Sequence, residues 1–139
     1  MSWQDKMKDW GGGEVSFLSE DGEAMVFVVV DEPVLLEGKF KGRMSERIGC
    51  PIVTVDGYSL FICGKRLARR LSRYENMFDT TAFQIVRRGE HNDIETSYEL
   101  AKCQDPELTK RLFDWVEHEL DRDAIAESVE AAQEIVTGK

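Results

Sequence analysis

The most strongly patterned segment of the chain is Ala24-Met25-Val26-Phe27-Val28-Val29-Val30, an apolar, β-branched-rich run of the kind found in buried central strands. Glu14 to Leu18 predicts a short strand before it, followed by a turn at Ser19-Glu20-Asp21-Gly22. Asp31-Glu32-Pro33 breaks the run, and Val34 to Arg43 predicts a second long strand, bent at Gly38 and Gly42. Residues 44–51, ending Gly49-Cys50-Pro51, have the composition of a loop. Ile52 to Val55 and Tyr58 to Cys63 flank Asp56-Gly57, a favoured type I′ pair, and predict a hairpin.

At Gly64 the period changes from two to 3.6. Leu67, Ala68, Leu71 and Tyr74 share one helical face, while Lys65, Arg66, Arg69, Arg70 and Arg73 cover the rest. Strand alternation returns from Phe78 to Arg88, a turn follows at Gly89-Glu90-His91-Asn92, and Asp93 to Lys102 alternates cleanly through Ile94, Thr96, Tyr98 and Leu100. After Pro106, a helix-start residue, Leu108, Leu112, Trp115 (or Val116) and Leu120 again fall at helical spacing, and Asp123 caps a last helix carrying Ile125, Val129, Ala132 and Val136. At the other end, Trp3, Met7 and Trp10 form one apolar face ahead of the flexible joint Gly11-Gly12-Gly13.

Three strand regions, a helix and two further strands give the order of an oligonucleotide-binding (OB) fold. The expected fold class is therefore mainly β with α. It is a five-stranded OB-type β-barrel with one helix between strands 3 and 4, plus a C-terminal helical segment. The expected organisation is a flexible arm over residues 1–13, an OB domain over 14–103, and an acidic helical segment over 104–139.

Charge then changes the picture. The net charge of −9 disfavours a polyanionic partner at first sight, but residues 38–73 hold nine of the 18 basic residues against only Glu46 and Asp56. The flanks are acidic, with ten acids against four bases in residues 104–139. A polyanion responds to the field within about 8–10 Å, so the local strip outweighs the total. Phe40 between Lys39 and Lys41, Tyr58 and Phe61 on the expected third strand, and Tyr74 at the end of the basic helix supply rings on which bases stack. The candidate nucleic-acid-binding residues are Lys39, Phe40, Lys41, Arg43, Arg47, Tyr58, Phe61, Lys65, Arg66, Arg69, Arg70, Arg73, Arg87 and Arg88. The competing assignment makes the basic residues a solvated helix face and Phe40 and Phe61 core.

Other chemistries are poorly represented. His91 and His118 stand apart from any ligand set, and Cys50, Cys63 and Cys103 lack CxxC spacing, which suits reduced thiols and no metal. There is no GxSxG, phosphate loop or HExxH pattern, so neither an enzyme nor a cofactor is expected. No apolar run approaches the ~20 residues that span a bilayer, and the N-terminus lacks a signal-type apolar region. The expected location is cytoplasmic.

From Phe17 to Leu108 the chain resembles phage-type single-stranded DNA-binding proteins. The resemblance is carried by Phe17-Leu18-Ser19-Glu20-Asp21-Gly22-Glu23 before the Val-rich strand, Glu32-Pro33, Gly49-Cys50-Pro51, and a strand running straight into the Leu/Arg helix. It continues in Phe78-Asp79-Thr80-Thr81-Ala82-Phe83-Gln84-Ile85, Arg87-Arg88-Gly89, Thr96-Ser97-Tyr98 and Pro106-Glu107-Leu108. The resemblance implies an OB fold and binding of single-stranded DNA with little sequence preference. It also implies protection of exposed strands during DNA replication or recombination in the host cytoplasm, with Lys39, Lys41, Arg43 and the helix bases in contact with DNA. Replication or recombination proteins would then dock on the acidic C-terminal segment. The chain departs from the resemblance where Cys50 stands alone beside Pro51 and where the terminus, Ile135-Val136-Thr137-Gly138-Lys139, lacks an acidic tail with an apolar tip. The alternative function is an acidic protein-interaction module or inhibitor that binds a basic partner; an RNA-binding OB domain would differ only in 2′-hydroxyl contacts.

Overall fold

A twelve-residue strand, Arg43–Thr54 (β4), organises the protein because it pairs with three others. The computed structural model describes residues 15–16, 18, 21–40, 43–89 and 97–137. The N-terminal arm and its expected amphipathic face lie outside the described residues.

The remaining strands are Val15–Ser16 (β1), Ala24–Val29 (β2), Val34–Phe40 (β3), Gly57–Cys63 (β5), Phe83–Arg88 (β6) and Ser97–Lys102 (β7). β3 runs antiparallel to β4 from Val34↔Gly49 to Phe40↔Arg43, and β2 continues along it at Val28↔Val53 and Val29↔Ile52. β5 takes the other side of β4, from Ile48↔Cys63 to Thr54↔Gly57. β2 also pairs with β6, which forms a ladder with β7. The order is β1-β5-β4-β2-β6-β7 with β3 beside β4, all antiparallel except the short β1–β5 pair. Helix α1 (Lys65–Ser72) and a 3-10 turn at Glu75–Met77 separate β5 from β6, and α2 (Pro106–His118) and α3 (Asp123–Thr137) follow β7.

The protein is thus mainly β with helices, but the expected closed five-stranded barrel is corrected to an open sheet. Among the described residues β7 pairs only with β6, and the free side of β5 carries β1 at Val15↔Leu60. Residues 44–51 are strand rather than loop. The carbonyl of Pro51 accepts from Val30 N at 3.0 Å, so its donorless nitrogen also faces Val30, whose carbonyl takes its hydrogen bond from Arg122 instead. The β4–β5 turn sits on Val55 and Asp56, one residue earlier than expected, with Gly57 at φ 106° closing it. Residues 78–80, expected to open a strand, form a turn instead.

Both faces of the sheet are covered. On one, Phe27, Cys50, Ile52, Phe61, Cys63, Phe83 and Ile85 pack beneath Leu67 and Leu71 of α1. On the other, Leu36, Leu60 and Ile62 meet Ala132 of α3, while Val28, Val53 and Ala82 meet Leu112 of α2. Asp105 starts α2 by accepting from Glu107 N and Leu108 N, each at 3.1 Å, with Pro106 in the first turn. Arg122 donates to the Val30 carbonyl and Gln133 to the Glu37 carbonyl, both at 2.7 Å, tying the C-terminal helices to the β2–β3 edge. Both helices of the acidic segment are therefore packed.

Gly49 makes this packing possible, because a Cβ there would lie 2.9 Å from Leu60 Cδ2, and Leu60 is fully buried. Gly49→Ala is expected to destabilise the fold by about 1–3 kcal/mol, the usual cost of overpacking, as read from the midpoint of urea unfolding.

Candidate nucleic-acid interface

Helix α1 is short, and packing rather than intrinsic propensity holds it. Leu67 and Leu71 are buried against the sheet, while Lys65, Arg66, Arg69 and Arg73 are exposed and Arg70 half-buried. Its N-cap, Gly64, offers no side-chain acceptor, and its first turn carries no acid. Nothing on the helix itself offsets its positive charge.

The outer face of α1 borders a surface groove of ≈ 740 Å³ between the helix and β7. Arg66, Arg69, Arg70 and Arg73 line it from the helix, Arg47 from β4, Arg87 from β6, and Ser97 with Tyr98 from β7. These six arginines come from three elements, and among the described residues no carboxylate lines the groove. Guanidinium groups gathered in this way repel one another and concentrate anions.

The arginines divide by what they already hold. Arg87 is buried, only 8% exposed, and donates from Nε to the Gly89 carbonyl (2.9 Å) and from Nη1 to the Leu18 carbonyl (3.0 Å) and the Tyr98 hydroxyl (3.1 Å). Arg70 Nη1 donates to the Tyr98 carbonyl at 2.7 Å. Arg66, Arg69 and Arg73 make no side-chain hydrogen bond or ion pair among the described residues. Outside the groove, Lys65 is paired with Glu46 at 2.7 Å and Arg88 with Glu99 at 3.1 Å. The hydrogen bond and positive charge of Lys65 hold the Glu46 carboxyl below its ordinary value of 4.5.

Of the expected contact residues, Arg47, Arg66, Arg69, Arg70, Arg73 and Arg87 converge on the groove, whereas Lys65 and Arg88 are engaged by the protein's own carboxylates. The backbones of Lys39, Phe40 and Arg43 lie in the β3–β4 ladder; their side chains, and all of Lys41, are outside the described residues. Two ring assignments are corrected. Phe61 is 2% exposed in the core, because its strand face packs against Phe27 and α1. Tyr58 lies on the opposite face, half-buried beneath the C-terminal helices. Its hydroxyl donates to Ser128 Oγ (2.7 Å), which itself donates to the Ile125 carbonyl. Tyr74 is likewise packed, its ring centroid 5.4 Å from that of Phe83. The groove residue that the sequence pattern did not single out is Tyr98, which faces Arg87 across the β6–β7 ladder; the alternation of β7 was visible, but this pairing needs the register.

Cys50 and Cys63 are buried free thiols with sulfurs 4.0 Å apart. The Cys63 thiol is pushed up, first by its hydrogen bond to Cys50 and then by burial. Among the described residues, no three His, Cys, Asp or Glu side chains come together as a metal site, and no helix is long and apolar enough to cross a membrane. No family model, curated protein or solved structure matches this chain.

The division of the arginines has a measurable consequence. Arg87→Lys leaves buried acceptors without donors and is expected to cost about 1–3 kcal/mol in urea unfolding. Arg66→Gln, at an exposed position with no partner among the described residues, is expected to stay within about 0.5 kcal/mol of the parent.

Proposed function

We propose that the protein binds single-stranded DNA, with little sequence preference, along the groove between α1 and β7. The observation that carries this reading is the convergence of Arg66, Arg69 and Arg73, exposed and without partners, with Arg47 and Arg70 on a groove that no carboxylate lines, all among the described residues. Pockets of about 300–1,000 Å³ hold drug-sized ligands, so the groove suits a short run of one strand better than the breadth of a duplex. The helix set between two strand pairs supports an opened OB-type arrangement, and the resemblance to phage-type single-stranded DNA-binding proteins supports a role in protecting strands during replication or recombination. The site differs from the usual OB surface. Here the outer face of the β4–β5 hairpin lies under α2 and α3, and the free basic surface is at the seam beside α1.

Fluorescence anisotropy with oligo-dT tests the proposal. Single-strand affinity is expected to fall with salt at a slope of about 0.7 per phosphate contacted, and to exceed duplex affinity. Arg66→Glu with Arg73→Glu is expected to weaken binding more than tenfold at about 50 mM salt and to reduce that slope by about 1.4, without changing the unfolding midpoint by more than a small fraction. Parental affinity in this double variant would overturn the assignment of the site.

Glu46 supplies a test of opposite sign. Its lowered pKa keeps it ionised and paired with Lys65 throughout the neutral range, and the pairing is lost only as pH falls through that depressed value. Glu46→Gln is expected to free Lys65, tighten binding about two- to fivefold at low salt and steepen the salt slope by about 0.7.

A further inference from the structure

Single-strand binders of the OB type commonly combine a basic groove with several stacking rings. In this protein the two ingredients are separated. Among the described residues, Phe27, Phe61 and Phe83 are at most 2% exposed. Tyr74 and Phe78 are packed against Phe83, with centroids 5.4 and 5.9 Å from it. Tyr58, Phe113 and Trp115 pack in the cluster under the C-terminal helices, on the opposite face from α1. Among the described residues, Tyr98 is the one ring that lines the groove. Its hydroxyl is held by Arg87, whose guanidinium carbon lies 5.9 Å from the ring centroid, and the ring packs against the core cluster.

The arginines, by contrast, are arranged in a row. Arg66, Arg69 and Arg70 of α1 and Arg73 at its C-cap stand at i, i+3, i+4 and i+7. At 1.5 Å rise per residue, Arg66 to Arg73 spans about 10 Å along the helix axis, enough to follow a short run of phosphates on one strand. Guanidinium groups present forked donors that suit phosphate oxygens and carry no base information when used that way.

We infer that the groove recognises the sugar–phosphate backbone alone and is indifferent to whether bases are present, so that its ligand class includes abasic strands. This rests on the proposed single-strand binding. The positive row meets the phosphates, and the bases project away from a wall whose rings are already committed to the core.

The test is anisotropy of the full-length protein with labelled strands of about 12 nucleotides, a length within the usual span of one such domain. One strand is oligo-dT, one is oligo-dA, and one is a tetrahydrofuran abasic strand of equal phosphate number, each at about 50 mM salt and at a higher salt concentration. The three affinities are expected to agree within about threefold, with equal salt slopes, because the counterions released are the same. Since each stacked base strengthens binding by roughly 5- to 150-fold, a loss of more than about fivefold with the abasic strand would overturn the inference. That result, with oligo-dT still bound, would leave the proposed function standing and assign stacking to a ring. Failure of oligo-dT and the abasic strand alike would overturn both.

Discussion

The groove depends on how the outer edge of β7 is satisfied. An edge strand carries unpaired carbonyls and amides, and a buried acceptor left without a donor costs about 1–3 kcal/mol. In a closed barrel β5 would supply those partners. Here β5 is paired with β1 on that side, and the Tyr98 carbonyl takes its hydrogen bond from Arg70 of α1 instead. A guanidinium at the end of a long side chain holds the two elements farther apart than a ladder of backbone bonds spaced ~4.8 Å between strands. The sheet therefore stays open, α1 spans the gap, and the space between helix and strand becomes the arginine-lined groove. Arg87 fixes the same seam from beneath, binding the Tyr98 hydroxyl and the Leu18 carbonyl together.

The sheet also separates the charges of a protein whose net is −9. α1 packs on the face formed by Cys50, Ile52 and Phe61, whereas α2 and α3 pack on the face formed by Leu36, Leu60, Val28 and Val53. Glu107, Asp114, Glu117, Glu127 and Glu130 are exposed on those two helices, with a sheet between them and the groove. The packed sheet, with its two helices, keeps these acids on the opposite side of the protein from the groove. Excess negative charge and an arginine-lined groove thus coexist by placement.

Much of this was legible in the amino-acid sequence because it depends on local period and composition. The 3.6-residue spacing of Leu67 and Leu71, and of Leu108 and Leu112, marks α1 and α2, and counting charges along the chain locates the basic strip. The failures are non-local. Gly49-Cys50-Pro51 resembles a loop until Leu60 is seen to need the space above Gly49 and Pro51 is seen to face the break between β2 and β3. Barrel closure depends on whether β5 and β7 meet, a choice made by Arg70 and β1 rather than by either strand's own residues. Phe61 and Tyr58 were placed as candidate stacking rings because alternation shows that a strand has two faces but not that both are covered. The apolar stripe of α2, with Leu112 and Trp115, is the signal that a second face needed a partner.

What emerges is a division between arginines that build the seam and arginines that remain available to a ligand. Arg87, buried with its hydrogen bonds directed to backbone and phenol oxygens, is part of the fold as much as Phe83 is. Arg70 belongs partly to each group, since it caps β7 while lining the groove. Arg66, Arg69 and Arg73 hold nothing among the described residues, and the helix beneath them is anchored by Leu67 and Leu71 on its other side. The charge carried by Arg66, Arg69 and Arg73 can therefore vary with little effect on the packing that shapes the groove, because these three side chains are exposed. In the proposed site, exposed cations would set the affinity and buried ones the geometry.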